Sequence, residues 1–347
     1  MTSFAKKTIE IGSLTIGAGR TFMIADVGSN HNQDLKLALE TIDAAVDSGA
    51  DAVKFQSLQM KELYLSPSQD VKNLYAQIDL DESWYFELKS HCDKRKVTFF
   101  SSPTYMSAVD SLEKINVSLY KLASAQIGTY PQIVDRVART GKPVILSSGL
   151  VTTGELESSV RQLEKANNKN YIILHCNSIY PAPYERVNLP LMQTYGSLFG
   201  CPVGYSDHTV GNHIAMAAVA MGASVIEKHF ALNLSLNTPD MIVAIDPEGF
   251  SCLSRGIREI EKALTPQTRL SIEPEEQEFK DSLTYRLVLM RSKKKGEEFN
   301  ADDFDFRRHT DGIDCRHLEI IIEHFCAEKN INEGTLLNWD MLAGKIK

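Results

Sequence analysis

Eight short apolar runs recur between residue 22 and residue 230, and this repetition constrains the fold more than any other feature of the sequence. Each run is rich in β-branched and aromatic residues, which favour strands. The runs are "FMIAD" (22–26), "DAVKFQ" (51–56), "VTFFSS" (97–102), "SLYKLAS" (118–124), "PVILSS" (143–148), "YIILHCN" (171–177), "CPVGYSDH" (201–208) and "SVIEKHF" (224–230). Helical patterns lie between them, among them 35–50, 105–116, 154–168 and 211–223.

Eight alternating strands and helices in roughly 250 residues match the count and size of a (β/α)8 barrel. We therefore predict an α/β protein built on a TIM barrel. A doubly wound parallel sheet is the alternative, but no glycine-rich phosphate loop follows the first strand. The segment "GSLTIGAGR" (12–20) precedes that strand and predicts a short hairpin that covers the barrel.

A change in composition follows "REIEKALTPQ" (258–267) and predicts a second domain. Residues 268–282 are charged and contain few core residues, which is typical of a linker or capping segment. Residues 283–347 alternate short strand patterns with turns such as "KKKGE" and "NEG". We predict a barrel domain over 1–267, a linker over 268–282 and a small domain over 283–347.

The charge and cysteine content limit the class of partner. The chain has 347 residues and a net charge of −8, which argues against a nucleic-acid ligand but permits an anionic small molecule. Six cysteines without CxxC spacing indicate reduced thiols. The first residues lack the apolar core of a signal peptide, and no uncharged run reaches the roughly 18 residues of a membrane span. We expect a cytoplasmic protein with no membrane partner.

Polar side chains follow every one of the eight apolar runs, at the strand ends where barrel enzymes place their active sites. A solvated loop explains any one of them equally well, but all eight together indicate a site. They are Asp26, Asn30, His31, Lys54, Gln56, Ser101, Ser102, Lys121, Ser124, Gln126, Ser147, Ser148, His175, Asn177, Ser178, Ser206, Asp207, His208, Glu227, Lys228 and His229.

The residue types in this set suit two kinds of ligand, an anion and a divalent metal. Lys54 and Lys121, with small hydroxyls nearby, suit a phosphate or a phosphate that also carries a carboxylate. His208 and His229, on adjacent strands, could hold a divalent metal with open positions, or could form a hydrogen-bonded pair in the core. Asp207 could orient the neighbouring ring of His208 or cap the following helix.

Several longer stretches resemble the sialic acid synthase family, whose members make N-acetylneuraminate, legionaminate and pseudaminate. The matching stretches are "IADVGSNHNQDLKLALETIDAAVDSGADAVKFQ", "YKLASAQ", "GKPVILSSGL", "LHCNSIYPAPYERVNL", "GYSDHTVGNHIAMAAVAMGASVIEKHF" and "DPEGF". "GYSDHT" and "EKHF", in this order and at this spacing, are the most specific. The resemblance covers nearly the whole chain, because 283–347 is similar to the small antifreeze-like (SAF) lid domain of these enzymes.

The resemblance implies a transferase of the N-acetylneuraminate synthase type (EC 2.5.1.-), which acts in cell-surface polysaccharide biosynthesis. Phosphoenolpyruvate (PEP) condenses with the open-chain aldehyde of an N-acetylated amino sugar, N-acetylmannosamine or a relative, and phosphate leaves by C–O cleavage. Mn²⁺ or Mg²⁺ is the expected cofactor. A domain-swapped homodimer is the expected assembly, in which the lid of one chain reaches the active site of the other.

The resemblance also implies roles for individual residues. Asp26, Lys54, Lys121, His208 and His229 would be catalytic, with the two histidines as metal ligands. PEP would lie on Lys54, Lys121 and four hydroxyls, those of Ser102, Ser124, Ser147 and Ser206. The sugar side and the remaining substrate contacts would be Gln56, Gln126, Ser178, Tyr180 and Asp240, and Arg308 would come from the lid.

Three positions depart from the family pattern. Asp26 stands where the family usually has Glu, in "AE-x-G-x-NH". "SAQ" (124–126) replaces "SGE", so that a carboxylate near the sugar hydroxyls becomes the neutral amide of Gln126. "RHTDGI" (308–313) replaces "RPG-x-G" and keeps only the arginine and the second glycine. Changes on the sugar side with intact lysines predict an altered acceptor, and weakened activity is the alternative.

Two other functions compete with this interpretation. A strand-end lysine such as Lys121 could be the nucleophile of a Schiff-base aldolase. The chain could also be a non-catalytic relative that binds sugar phosphates. The retained histidines and lysines favour the PEP-dependent synthase over both alternatives.

Overall fold

Eight parallel strands form the larger part of the molecule. The computed structural model describes residues 7–235, 238–266 and 269–345, and the chain divides into two units, Met1–Thr265 and Pro266–Lys347. The strands of the first unit are β1 (Ile9–Ile11), β2 (Leu14–Ile16), β3 (Phe22–Gly28), β4 (Ala52–Ser57), β5 (Thr98–Pro103), β6 (Tyr120–Leu122), β7 (Val144–Ser147), β8 (Tyr171–Cys176), β9 (Val203–Asp207) and β10 (Val225–His229).

Helices follow the strands in turn. They are α1 (Leu35–Asp47), α2 (Met60–Leu63), α3 (Gln69–Ile78), α4 (Tyr85–Lys94), α5 (Met106–Lys114), α6 (Ser124–Thr129), α7 (Pro131–Ala138), α8 (Thr153–Lys165), α9 (Pro190–Phe199), α10 (His213–Ala220) and α11 (Pro247–Ala263). Strand β6 is shorter than the run 118–124 predicted, because the chain turns at Ala123 into α6. No helix in the described ranges is long and apolar enough to cross a membrane.

The strand order is β5-β4-β3-β10-β9-β8-β7-β6, and every pair in it is parallel. The two end strands, β5 and β6, lie side by side, so the sheet is a nearly closed barrel. The predicted TIM barrel is confirmed. A hairpin is also present before β3, but it covers 9–16 and not 12–20, because β1 and β2 pair antiparallel with Ile9 opposite Ile16.

An apolar layer fills the barrel interior, and a polar layer lies on top of it. The apolar layer, on which the β1–β2 hairpin packs, contains Phe22, Ile24, Ala52, Phe100, Leu119, Ile145, Ile172, Leu174 and Val225. Side chains two residues apart on a strand share a face. Two residues after seven of these nine, in the same inward direction, come polar or sulfur-bearing side chains: Asp26, Lys54, Ser102, Lys121, Ser147, Cys176 and Glu227. The strand period alone thus delivers the functional groups to the carboxyl ends of the strands.

The second unit is small and contains two antiparallel strand pairs. Its elements are α12 (Pro274–Leu283), β11 (Tyr285–Leu289), β12 (Phe304–Arg308), α13 (Leu318–His324), β13 (Phe325–Ala327) and β14 (Leu342–Gly344). Strand β11 pairs with β12, and β13 pairs with β14. The predicted turns "KKKGE" and "NEG" are present, with Gly296 and Gly334 at φ +84° and +76°, where only glycine is unstrained.

Leu287, Leu289 and Phe299 belong to the hydrophobic core of this second unit. Helix α12 occupies most of the predicted linker and was not expected there. None of its residues is buried, which agrees with the charged composition of the segment. Residue 267, at the end of the predicted barrel domain, and residue 268, at the start of the predicted linker, lie outside the described residues, as do 1–6 and 346–347.

Candidate active site

Two buried lysines and two buried carboxylates form the centre of the polar layer. Lys54 Nζ lies 2.7 Å from Asp26 Oδ2 and 3.6 Å from Glu227 Oε2. Lys121 Nζ donates to both oxygens of Glu227, at 2.7 and 2.9 Å. Ser206 Oγ donates to Glu227 Oε1 at 2.8 Å. The sequence-predicted residues Asp26, Lys54, Lys121 and Ser206 are therefore brought together, with Glu227 between them.

The charges in this cluster stabilise one another. Burial alone would raise the pKa of the Glu227 carboxyl, but Lys121 and Lys54 outweigh it and hold that pKa below its usual range. Burial alone would lower the pKa of Lys54, but Asp26 and Glu227 outweigh it and raise that pKa. Lys121 differs from these two groups, because burial outweighs the attraction of Glu227 and lowers the pKa of Lys121.

Hydroxyl groups around the lysines have unused hydrogen-bonding capacity. Across the described residues, the Oγ atoms of Ser102, Ser147 and Ser148 are buried and have no hydrogen-bond partner. Buried hydroxyls almost always have one. Ser124 and Ser178 lie beside this group, with their Oγ atoms 3.2 Å apart. Unsatisfied donors next to two ammonium groups suit an anion with several oxygens.

The two predicted metal ligands lie at the rim of the same layer. The ring centroids of His208 and His229 are 5.3 Å apart. His208 Nδ1 donates to Asn177 O at 2.8 Å, so Nε2 carries the lone pair, and Tyr180 Oη donates to it at 3.0 Å. Burial lowers the pKa of His208 to about 3, and His229 adds to this effect, so His208 is neutral.

These imidazoles fit an exchangeable metal better than a structural one. Where the chain is described, no three His, Cys, Asp or Glu side chains are placed to hold an ion. His208 and His229 would hold a divalent ion here, with positions open for substrate and water. His229 Nδ1 is buried and has no hydrogen-bond partner among the described residues, so its ring nitrogen could bind an ion.

Asp240 reaches the site from the loop after β10. Its Oδ2 accepts hydrogen bonds from Ser29 N at 3.2 Å and Ser29 Oγ at 2.8 Å, and lies 3.9 Å from His229 Nδ1. Burial would raise the pKa of Asp240, but His229 and Ser29 outweigh it and lower that pKa. Gly28 makes this approach possible, because a Cβ there would lie 2.7 Å from Asp240 Oδ2 and its φ is +53°.

Four strand-end residues point away from the site, and their inclusion was wrong. Ser101 hydrogen-bonds to Ser57 outside the barrel, and His175 contacts Val187 O. Asp207 neither orients His208 nor caps α10. Its Oδ2 lies 2.9 Å from Lys228 Nζ in a fully buried ion pair, and its Oδ1 accepts from Thr209. Each of these four residues is next in sequence to an inward-facing residue. The two-residue period of a strand therefore places its side chain on the opposite face.

The remaining predicted residues have separate environments. Gln56 is half-buried on β4, two residues beyond Lys54. Gln126 Oε1 is buried and has no donor among the residues described. Arg308 lies on β12 of the second unit, where its guanidinium is 5.2 Å from the centroid of the Tyr285 ring. His31, also noted at a strand end, packs between Phe55 and Trp84.

Sequence reasoning gave no role to Glu227 or Ser29. A signal for Glu227 was present, because it lies two residues before His229 and must share its face of β10. Nothing in the sequence near Ser29 indicates its bond to Asp240, since 211 residues separate them.

A parallel barrel with ammonium groups, hydroxyls and two imidazoles at the carboxyl ends of its strands has the arrangement of a barrel enzyme that acts on an anion. Comparison with known proteins narrows this class. The NeuB family model matches residues 41–269, and the chain belongs to the NeuB family.

Relatives support this family over almost the full chain. The chain is 39% identical to an uncharacterized protein of Methanocaldococcus jannaschii, over 97% of this chain and 99% of that one. It is 34% identical to the N,N'-diacetyllegionaminic acid synthase of Campylobacter jejuni, over 92% and 99%. The N-acetylneuraminic acid synthetase structure of Leptospira borgpetersenii superposes with a TM-score of 0.73 at 32% identity, over 82% of this chain and 99% of that one.

Proposed function

We propose that this protein is a PEP-dependent nonulosonic acid synthase, a transferase that joins PEP to an N-acetylated amino sugar and releases phosphate. The observation that carries this proposal is the polar layer, where Lys54 and Lys121 are surrounded by unpartnered hydroxyls. PEP needs such a site, because it carries a phosphate and a carboxylate on three carbons.

The lysines and hydroxyls would hold PEP with its methylene carbon toward the imidazoles. Ammonium groups on both sides of the ligand would stabilise the phosphate as it leaves by C–O cleavage. Asp26 Oδ2 is engaged by Lys54, but Oδ1 is buried with no partner among the described residues. That oxygen would take the proton released when water adds to C2 of the condensing substrate.

His208 and His229 would hold a divalent ion, Mn²⁺ or Mg²⁺, at the aldehyde end of the site. Such an ion polarises a carbonyl as a Lewis acid. Tyr180 and Asp240 lie against the two imidazoles and would position the hydroxyls of the sugar. The PEP methylene carbon would then form its new bond to the aldehyde carbon. The aldehyde oxygen would take up a proton and become a hydroxyl, and this proton is balanced by the one released when water adds to C2.

The acceptor is an N-acetylated amino sugar, and the side chain of Gln126 would favour one kind of amino sugar over others. A neutral amide both donates and accepts, whereas a carboxylate only accepts. An acetamido group matches the amide in both respects, so we propose a 2,4-diacetamido hexose as the preferred acceptor. The 34% identity to a diacetyllegionaminic acid synthase supports this choice.

The structure argues against the aldolase alternative. A Schiff-base lysine must lose its proton to attack a carbonyl. Burial does lower the pKa of Lys121, but its Nζ donates to both oxygens of Glu227, so the nitrogen that would attack is already engaged. Borohydride treatment with pyruvate should leave Lys121 unmodified.

The test is incubation with PEP, Mn²⁺ and a panel of 2-acetamido and 2,4-diacetamido hexoses, with phosphate release as the signal. We expect release that requires both PEP and a sugar, and is fastest with a diacetamido hexose. Reactions without sugar are the control. PEP binding with no release for any sugar would instead favour the non-catalytic relative.

A further inference from the structure

Glu227 is a buried carboxylate at the centre of the polar layer. It is 3% exposed, and both of its oxygens are occupied. Oε1 accepts from Lys121 and Ser206, and Oε2 accepts from Lys121 and lies 3.6 Å from Lys54. Asp26, by contrast, keeps one oxygen without a partner among the described residues. Glu227 therefore has little capacity left for a substrate, and any effect on the reaction must pass through its neighbours.

The pair of Glu227 and Lys121 crosses the full width of the barrel. In the order β5-β4-β3-β10-β9-β8-β7-β6, strand β10 lies four strands from β6 in either direction once β5 and β6 meet. The two side chains therefore come from opposite walls. Lys54 comes from β4, two strands from β10. One carboxylate thus connects three walls of the barrel directly above its apolar layer.

We propose that Glu227 is a positioning residue for the anion site, whose carboxylate holds Lys54 and Lys121 at fixed points on the floor of the barrel so that their remaining N–H groups face the free hydroxyls. The proposal rests on the proposed PEP site. Long, flexible lysine side chains lose much conformational freedom when they bind a ligand. A carboxylate that already holds them removes this cost before PEP arrives.

The direction in which PEP binding changes when Glu227 loses its charge distinguishes a positioning role from a purely electrostatic one. A fixed carboxylate repels an anionic ligand, so charge alone predicts that its removal strengthens PEP binding. Positioning predicts the opposite. Glu227→Gln keeps the size and two polar atoms of the side chain but loses the charge. We expect the KM for PEP to rise about tenfold or more, as for other losses of a buried charged partner. The KM for the sugar should change less than threefold.

A shorter acid provides the second variant. Glu227→Asp keeps the charge but is one methylene shorter, so it cannot reach Lys121 across the barrel. We expect the KM for PEP to rise in this variant too, whereas a role of charge alone would leave it unchanged. If Glu227→Gln does not fold, Glu227→Asp carries the test. The matched control is Glu113→Gln, which breaks an acid–lysine pair with Lys142 (2.6 Å) outside the barrel interior and should leave both KM values unchanged.

The experiment measures steady-state kinetics for PEP and sugar, and PEP binding without sugar by calorimetry. Weaker PEP binding in both Glu227 variants supports the proposal. An unchanged or lower KM for PEP in either folded variant overturns it, and so does an equal rise in both KM values. If the wild-type chain binds no PEP, the proposed function fails instead, and the two results are therefore distinguishable.

Discussion

At the scale of single residues, Gln126 is the position most open to a test of acceptor choice. Gln126→Glu would place a carboxylate where an amide oxygen is buried without a donor. A carboxylate cannot donate to an acetamido carbonyl, so preference should move toward N-acetylmannosamine, by roughly tenfold in the ratio of kcat/KM values. The measurement is a competition between the two sugars.

Gln162 on α8 supplies the control for this substitution. Its amide oxygen is also buried without a described partner, but it lies on a helix outside the barrel. Gln162→Glu should leave sugar preference unchanged. A wild-type enzyme that already prefers N-acetylmannosamine would show that the amide is merely tolerated.

The imidazoles give a second prediction at this scale. His208→Ala and His229→Ala should each weaken Mn²⁺ binding strongly and abolish turnover, because the ion loses one of its two protein ligands. EDTA should abolish the activity of the wild-type enzyme, and added Mn²⁺ should restore that activity. Electron paramagnetic resonance of Mn²⁺ measures binding independently of activity.

The control for the metal is His213, an exposed imidazole at the start of α10 that contacts Tyr184. His213→Asn should bind Mn²⁺ as the wild-type chain does. Full activity of the wild-type enzyme in excess EDTA would rule out a metal at this site.

At the scale of elements, the loop after β7 brings three strands into contact. A Cβ at Gly149 would lie 2.2 Å from Ser178 Oγ and 3.2 Å from Ser124 Oγ. Gly149→Ala should therefore displace both hydroxyls, raise the KM for PEP and cost about 1–3 kcal/mol of unfolding free energy. Kinetics and thermal unfolding measure the two effects.

Gly154, five residues further on, lies in the first turn of α8 with nothing within 4 Å of a Cβ. Gly154→Ala should leave activity unchanged and stabilise the fold slightly, by up to about 1 kcal/mol. Equal behaviour of the two variants would mean that the close contacts at Gly149 relax freely.

The elements also show how far the sequence could be interpreted. The barrel was predictable, because eight apolar runs at regular spacing allow few other folds. The inward positions were predictable too, since Val225, Glu227 and His229 follow the strand period. The cross-barrel contact of Glu227 with Lys121 was not, because 106 residues separate them and only the closed barrel places their strands opposite each other. Helix α12 was not predicted, because it has no buried face and its sequence therefore shows no apolar period.

At the scale of the whole molecule, we expect the second unit to serve the barrel of another subunit. Arg308, the arginine that matches the family lid motif, belongs to Pro266–Lys347, whereas Lys121 belongs to the barrel. A unit of this size buries little core by itself, so we expect it to pack on a neighbour. The charged segment 268–282 precedes it and would allow it to reach a second subunit. Each active site would then combine residues from two chains.

Subunit mixing tests this arrangement. Arg308→Ala and Lys121→Ala homodimers should each be nearly inactive, because every site lacks one essential cation. After subunit exchange, half of the dimers contain one chain of each kind, and one of their two sites has both an intact barrel and an intact lid. Activity should therefore recover to about a quarter of the wild-type value. Exchange is verified with differently tagged chains, and either variant mixed with itself is the control. Confirmed exchange without recovery would place each lid over its own barrel, because then every site in the mixed dimer keeps one defect.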